Sequence, residues 1–270
     1  MTISTGGGLL ISNLSETMQP KIQFLFLILL SIVACKNEKK SENQSQTITE
    51  VKSSSTPNQL TEDEKEAGWE LLFDGKSTEG WHLYNYPDST SVWQVVDGTL
   101  YCDSKNRDYQ QGDLITDREF ENYELIFDWK LAKESNSGVF INVQESPTYA
   151  AAWHTGPEYQ LLDPEHRDQA VGNKRSGCLF AFSPQINTTV TKRAGEWNTS
   201  RIVQVDGKVE FYLNGNLTAS ADFTSPQWTE RIGETHFTKF PDFGKATKGR
   251  IGLQDWFTDA WFKNIKIREL

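Results

Sequence analysis

Basic charge is scarce in this chain. Its 27 Lys and Arg face 37 Asp and Glu, for a net charge of −10 and a pI near 5.0 over 270 residues. Phosphate backbones need clustered Lys and Arg, so nucleic acid is excluded as a partner. Cysteine is also scarce, at three residues, and none sits in a nucleophilic motif; a phosphate-binding glycine loop and a serine elbow are likewise missing. Only four histidines occur, His82, His154, His166 and His236, and their spacing matches no zinc motif. No repeat has solenoid or propeller spacing, and no apolar run reaches the ~20 residues that a membrane-spanning helix needs.

The one pronounced apolar run is N-terminal. Lys21 precedes Phe24-Leu25-Phe26-Leu27-Ile28-Leu29-Leu30, and Ser31-Ile32-Val33-Ala34-Cys35 leads into polar Lys36-Asn37-Glu38. A charged flank, a short apolar stretch and a small-residue exit make a signal peptide over residues 1–35, and Cys35 stands where a lipobox thiol is acylated. Met18-Gln19-Pro20-Lys21 would itself serve as an n-region, so translation starts at Met1 or Met18. The expected location is the cell envelope, lipid-anchored on a periplasmic or outer-membrane face. Residues 36–66 are Ser, Thr, Asn, Gln, Glu and Lys with almost no large apolar side chain, a tether too polar to offset ordering entropy. Glu62 to Ala67 forms a short helical turn at its end, before a domain over residues 67–270.

About two hundred residues remain, enough for one β-sandwich with a sizeable core. Alternation predicts strands over Glu124–Leu131, Asn136–Val143, Gly156–Asp163 and Arg250–Trp256. Asp206-Gly207 between Arg201–Val205 and Val209–Leu213 predicts a hairpin, and Asn214-Gly215 begins another turn. From Trp228 to Thr247 periodicity fades, which predicts a long loop crossing a sheet face and able to carry function. The class is all-β.

Strand geometry places Glu158 and Gln160 on one face, with Tyr159 and Leu161 directed into the core. The same alternation directs Asp128 and Lys130, Asn142, and Arg250, Gln254 and Trp256 away from the core, so four strands offer one shared lining. Planar amides and carboxylates match sugar hydroxyls in pairs, and 9 Trp, 8 Tyr and 15 Phe supply rings for sugar C–H faces as well as for the core. His154 and His166 flank the Glu158 strand on loops, where a neutral imidazole could take a proton or bind metal. Cys102 and Cys178 are free to pair in an oxidising compartment, and Asp-rich turns offer ligands to a calcium ion without locating one.

A set of ordered motifs is more specific. Trp69-Glu70-Leu71-Leu72-Phe73-Asp74-Gly75-Lys76 with Gly80-Trp81, Trp93-Gln94-Val95-Val96-Asp97-Gly98-Thr99-Leu100, Asn136-Ser137-Gly138-Val139-Phe140, Gly156-Pro157-Glu158-Tyr159-Gln160, Gly195-Glu196-Trp197-Asn198 and Phe262-Lys263-Asn264-Ile265-Lys266-Ile267 run in order from Gly68 to Leu270. Together they resemble the 3-keto-disaccharide hydrolase family. The resemblance implies a concanavalin-like jelly-roll sandwich of two antiparallel sheets. It also implies cleavage of glycosides whose sugar has first been oxidised to a ketone, by an upstream sugar 3-dehydrogenase. The chemistry implied is proton abstraction beside the ketone, elimination and hydration, which requires a base, an electrophile for the enolate and an acid. Glu158 is the expected base; Lys130 or Arg250 holds the enolate, and Asp163 or His166 orients or protonates. Gln160, Asn142, Gln254, Trp256 and His154 are the expected sugar contacts. Relatives often carry His after the Gln-Asp pair, whereas Gln254-Asp255 here precedes Trp256. That departure keeps a non-catalytic glycan-binding lipoprotein open as the alternative. Direct hydrolysis by two carboxylates is weaker, since it needs a defined separation.

Overall fold

The computed structural model describes residues 56–270; the lipobox at Cys35 and most of the 36–66 tether lie outside them. In chain order the strands are β1 (Glu70–Leu71), β2 (Trp81–Leu83), β3 (Trp93–Val96), β4 (Thr99–Cys102), β5 (Leu114–Thr116), β6 (Tyr123–Leu131), β7 (Asn136–Val143), β8 (Glu158–Leu162), β9 (Asn198–Val205), β10 (Lys208–Leu213), β11 (Asn216–Asp222), β12 (Arg250–Leu253) and β13 (Ala260–Glu269). Two short helices, α1 (Glu62–Glu66) and α2 (Pro226–Gly233), accompany them. One sheet has the order β11-β10-β9-β6-β13-β4-β3 with β1 also on β13, and the other runs β2-β5-β12-β7-β8. Every strand pairing is antiparallel, which gives a concanavalin-like sandwich.

The inward side chains of both sheets fill one core, including Phe127, Trp129, Val139, Ile141, Tyr159, Leu161, Phe211, Leu253 and Phe262. Two polar tips inside it share one partner: Trp129 Nε1 donates to Ser200 Oγ at 2.8 Å, and the Tyr159 hydroxyl meets the same oxygen at 2.8 Å. The β9–β10 hairpin turns through Asp206 and Gly207 at φ 50° and 74°, and β10–β11 through Asn214 and Gly215 at φ 47° and 86°. Positive φ at both central residues is the turn that Asp-Gly and Asn-Gly favour, because its twist matches the strands.

Two expectations need correction, and one open question closes. The packed domain begins before residue 67: Asn58 and Glu64 are buried, Thr61 and Glu64 form a capping box on α1, and Glu64 ion-pairs with Lys266 of β13. A polar segment is ordered here because its carboxylate finds a buried ammonium. The pairing left open for Cys102 and Cys178 does not form, since both thiols are buried and free. Cys102 lies on β4 beside the Asp255 carboxylate, whereas the Cys178 thiol donates to Gly172 O at 3.4 Å. The Trp228–Thr247 segment holds most of α2 and a 3₁₀ turn at His236–Lys239 rather than loop alone. Ser225 caps α2 with Pro226 in its first turn, and Trp228 Nε1 donates to Gly244 O at 2.7 Å. Phe237 stacks on Phe243 at 3.9 Å and on Phe182 at 5.7 Å, so aromatic packing fixes this segment.

Candidate functional site

The site is built on the outer face of the five-stranded sheet. Glu158 and Gln160 of β8 lie opposite Phe140 and Gly138 of β7, and Phe140 lies opposite Gly252 of β12. Gln254 follows β12 directly, anchored by its N–H to Gly138 O at 2.9 Å. These side chains share a cavity of about 180 Å³ with Asn136, Trp153, Phe180, His236, Phe237 and Trp256. A second cavity of about 210 Å³ adjoins it, sharing Trp153, Gln254 and Trp256 and adding Tyr84, Tyr86, Gln111, Gly112, Asp113, Asp255 and Phe257. Neither cavity is lined by Lys or Arg among the described residues.

Glu158 is buried, and its Oε1 has no hydrogen-bond partner among the described residues; Gln254 Oε1 is in the same state. Burial holds the Glu158 carboxyl well above the usual carboxylate range and the charge of Asp113 pushes it further, with the Gln254 amide opposing both. Burial also raises Asp113, to about 7, against the Asp255 amide that donates to it at 3.1 Å. Asp255 is raised by burial and held back by the amides of Phe257 and Gly112, at 3.0 and 3.2 Å. Such a site can accept a proton at Glu158 and present neutral amides to hydroxyls. Gln160 Nε2 donates to Asn136 Oδ1 at 2.6 Å, which fixes the orientation of that amide. His236 is lowered by burial and by Lys239 and Lys174, so its imidazole favours the neutral form.

Of the expected residues, Glu158, Gln160, Gln254 and Trp256 come together, and Trp256 is 49% exposed at the junction of the two cavities. The others do not. Lys130 projects from β6 in the opposite sheet, its Nζ 5.0 Å from the Trp261 ring centre and 5.1 Å from that of Trp197. The alternation of β6 is correct, but it cannot say which sheet a strand joins. Asn142 faces inward: its Nδ2 donates to Gln204 Oε1 of β9 at 2.7 Å. With φ 57°, Asn142 forms a bulge where β7 places Phe140 and Val143 opposite Gly252 and Arg250, and so the facing of the strand reverses.

Arg250 donates to Thr116 O at 2.8 Å and to Asp117 O, and lies 3.6 Å from Glu145, away from both cavities. Asp163 accepts from the amides of Glu134 and Glu165 at 2.9 and 3.1 Å, and His166 Nδ1 from the Asp168 amide at 3.1 Å, so both organise loops. His154 stacks on Phe240 at 4.1 Å; its neighbour Trp153 lines the cavity instead. No group of three or more His, Cys, Asp or Glu able to hold a metal occurs among the described residues.

Asp113, Asp255, Asn136, Trp153, Phe180, His236 and Phe237 were not singled out from sequence. For His236 and Phe237 a signal existed in the Trp228–Thr247 segment, and for Asn136 in the outward position of its strand. Asp113 gave none, because it sits just before a three-residue strand.

An antiparallel sandwich with an aromatic-rimmed, carboxylate-bearing cavity on one outer sheet face defines a concanavalin-like β-sandwich protein with a candidate site on that face. Residues 68–268 match the 3-keto-alpha-glucoside-1,2-lyase-like domain. The chain is 31% identical over 210 residues to a 3-keto-disaccharide hydrolase of Bacteroides thetaiotaomicron, covering 67% of this chain and 71% of that one. A crystal structure of a candidate glycosyl hydrolase from Parabacteroides distasonis superposes with a TM-score of 0.70 at 34% identity, over 80% of this chain and 100% of that one. A second from the same species gives 0.55 at 26% identity, over 75% and 99%. The chain belongs to the 3-keto-alpha-glucoside-1,2-lyase-like domain family.

Proposed function

We propose that this protein cleaves 3-keto-glycosides, with Glu158 as the base. The observation that carries the reading is a buried carboxyl whose Oε1 lacks a partner, lining a cavity whose other polar side chains are the amides of Asn136, Gln160 and Gln254, the His236 imidazole and two indoles. A ketone acidifies the proton on the ring carbon between it and the glycosidic carbon. Glu158 takes that proton, the enolate collapses with loss of the glycosidic oxygen, and water then adds to the unsaturated ketone, giving net hydrolysis. With no cation lining either cavity among the described residues, enolate charge falls to neutral donors, of which the Gln254 amide beside Glu158 is one. Asp113, whose pKa is raised to about 7, is the acid for the leaving oxygen from the second cavity. Two adjoining cavities of about 180 and 210 Å³ suit a two-unit substrate, with the oxidised ring beside Glu158 and the leaving unit beside Asp113. A sugar 3-dehydrogenase must act first to supply the ketone.

Incubation with a 3-keto-glucoside and with its unoxidised parent tests the reading. Breakdown of the keto form alone is expected, and Glu158→Gln should lower the catalytic step by about a hundred-fold or more while leaving binding in place. Binding of both sugars with breakdown of neither would favour instead a glycan-binding protein, for which Trp256 in place of the expected His is the supporting feature. Anchoring through an acylated Cys35 completes the proposal: Cys35→Ala should move the protein out of the membrane fraction, and an unchanged fraction would overturn it.

A further inference from the structure

The outer face of the eight-stranded sheet carries a second groove with no part in the site described above. Cross-strand register lines up Gln94 of β3, Tyr101 of β4, Trp261 of β13 and Lys130 of β6 in one row. Trp197, just ahead of β9, extends it. Four inter-strand steps of ~4.8 Å make the row roughly 19 Å long, enough for several sugar rings. Tyr101 stacks on Trp261 at 4.9 Å with planes 14° apart. Lys263 stands 4.2 Å from the Trp197 ring centre, and Lys130 lies about equally far from Trp197 and Trp261, at 5.1 and 5.0 Å. The space between them is a cavity of about 680 Å³ reaching to Pro57, Lys76 and Gly98.

Charge gives the groove its chemistry. The lysines of the described residues that reach a carboxylate are Lys65, Lys105, Lys133, Lys174 and Lys266; neither Lys130 nor Lys263 is among them. The nearby acids make no ion pair with either lysine. Asp128 stands opposite Lys263 in register and accepts from Thr199 and Asn264 at 2.6 and 2.7 Å, while Asp74 and Asp97 line the same cavity, Asp74 accepting from the Lys76 and Ser77 amides at 2.8 and 3.0 Å. Two ammonium groups with no carboxylate within ion-pair distance, framed by tryptophans, are unexpected on a chain of net charge −10. Each ring is partly covered by a cation, so the groove offers positive charge first and aromatic surface second.

We propose that this groove is a binding site for an anionic glycan, a chain of sugars bearing carboxylate or sulfate groups. The acid groups pair with Lys130 and Lys263, and the sugar C–H faces lie along Trp197, Trp261 and Tyr101. The site lies on the opposite sheet from Glu158, so occupancy of one leaves the other open, and the inference does not rest on the proposed reaction.

Calorimetry with oligogalacturonate, dextran sulfate and neutral dextran oligosaccharides is the test, run at two salt concentrations. Binding of at least one anionic chain, weaker at the higher salt, with none of the neutral chain, is expected. Response to one anion only then identifies whether carboxylate or sulfate is the natural group. Lys263→Ala should weaken binding about ten-fold or more, Lys263→Arg should retain most of it, and turnover of the keto substrate should be the same in both. Trp197→Ala should weaken it as well, and because that ring is half-buried its folded state is checked by thermal melting. Failure of the unaltered protein to bind either anionic chain, or binding that Lys263→Ala leaves unchanged, would overturn the proposal.

Discussion

The carboxyl of Glu158 occupies the space where any residue but glycine at position 138 would carry its Cβ: a Cβ built on Gly138 would lie 2.8 Å from Glu158 Cδ and 2.9 Å from its Cγ. The two residues sit on adjacent strands of the five-stranded sheet, and the missing side chain lets the acid lie flat over β7, beside Gln254.

Gly138→Ala is therefore expected to disturb the site without altering its list of chemical groups. The backbone at 138 is ordinary strand, so alanine is strained only by contact with Glu158. Overpacking of this kind costs about 1–3 kcal/mol. Thermal melting should show that loss, and kcat should fall at least about ten-fold as the carboxyl is displaced. Unchanged values of both would show that Glu158 has room to move.

The second prediction is a stability profile. Asp113 has its pKa raised to about 7 in the folded chain, above an unfolded value near 3.9. The folded state thus binds more protons than the unfolded state between those values, and stability falls as pH rises across that window. Its contribution is complete below about pH 4 and lost above about pH 7, and Glu158 acts in the same direction. Melting curves at pH 5 and pH 8 should differ by several degrees in favour of pH 5, and Asp113→Asn should shrink the gap. A profile that the substitution leaves untouched would count against a buried proton at Asp113.

Activity should follow a bell. Glu158 works as a base only when ionised and Asp113 as an acid only when protonated, so kcat/KM should rise with pH along an acid limb displaced above the ordinary carboxylate range and fall again as Asp113 loses its proton. The limb belongs to the Glu158 and Asp113 pair jointly. Asp113→Asn removes the negative charge that helps to raise Glu158, so the limb should move to lower pH while the plateau falls through loss of the acid. A limb that stays in place after that substitution would separate the two residues.

Asn142 should matter for stability and not for substrate. Its amide is paired with Gln204 in the interior, and Gln204 Nε2 also donates to Glu121 O at 2.6 Å and Thr247 O at 2.7 Å. Asn142→Ala leaves the Gln204 carbonyl without its donor and puts alanine at φ 57°, a loss of about 1–3 kcal/mol. Chemical denaturation should detect that loss and KM should hold; a raised KM with full stability would return Asn142 to the substrate.

Much of the architecture follows from local chemistry. Alternation in Tyr123–Leu131 and Glu158–Leu162 separates the core-facing side from the outer side correctly, because side chains on a strand can only alternate, and Asp-Gly and Asn-Gly dictate their turns through positive φ. Glu158, Gln160, Gln254 and Trp256 were legible as one group for the same reason, lying on or just beyond strands of a single sheet. What the chain does not write down locally is partnership between distant strands. Lys130 and Glu158 both face outward, but from opposite sheets, and only strand pairing decides that. The bulge at Asn142 inverts a facing that period-two reading assigns, since one inserted residue shifts every side chain beyond it. Asp113 acquires its role from burial beside Glu158 and Asp255, an environment assembled by β5, β8 and β12 together. The sequence by itself determined the strands, the turns and the faces; which faces meet, and so which carboxyl is left unpaired in a cavity, was decided by tertiary pairing, because proximity across a sheet is a property of register and not of composition.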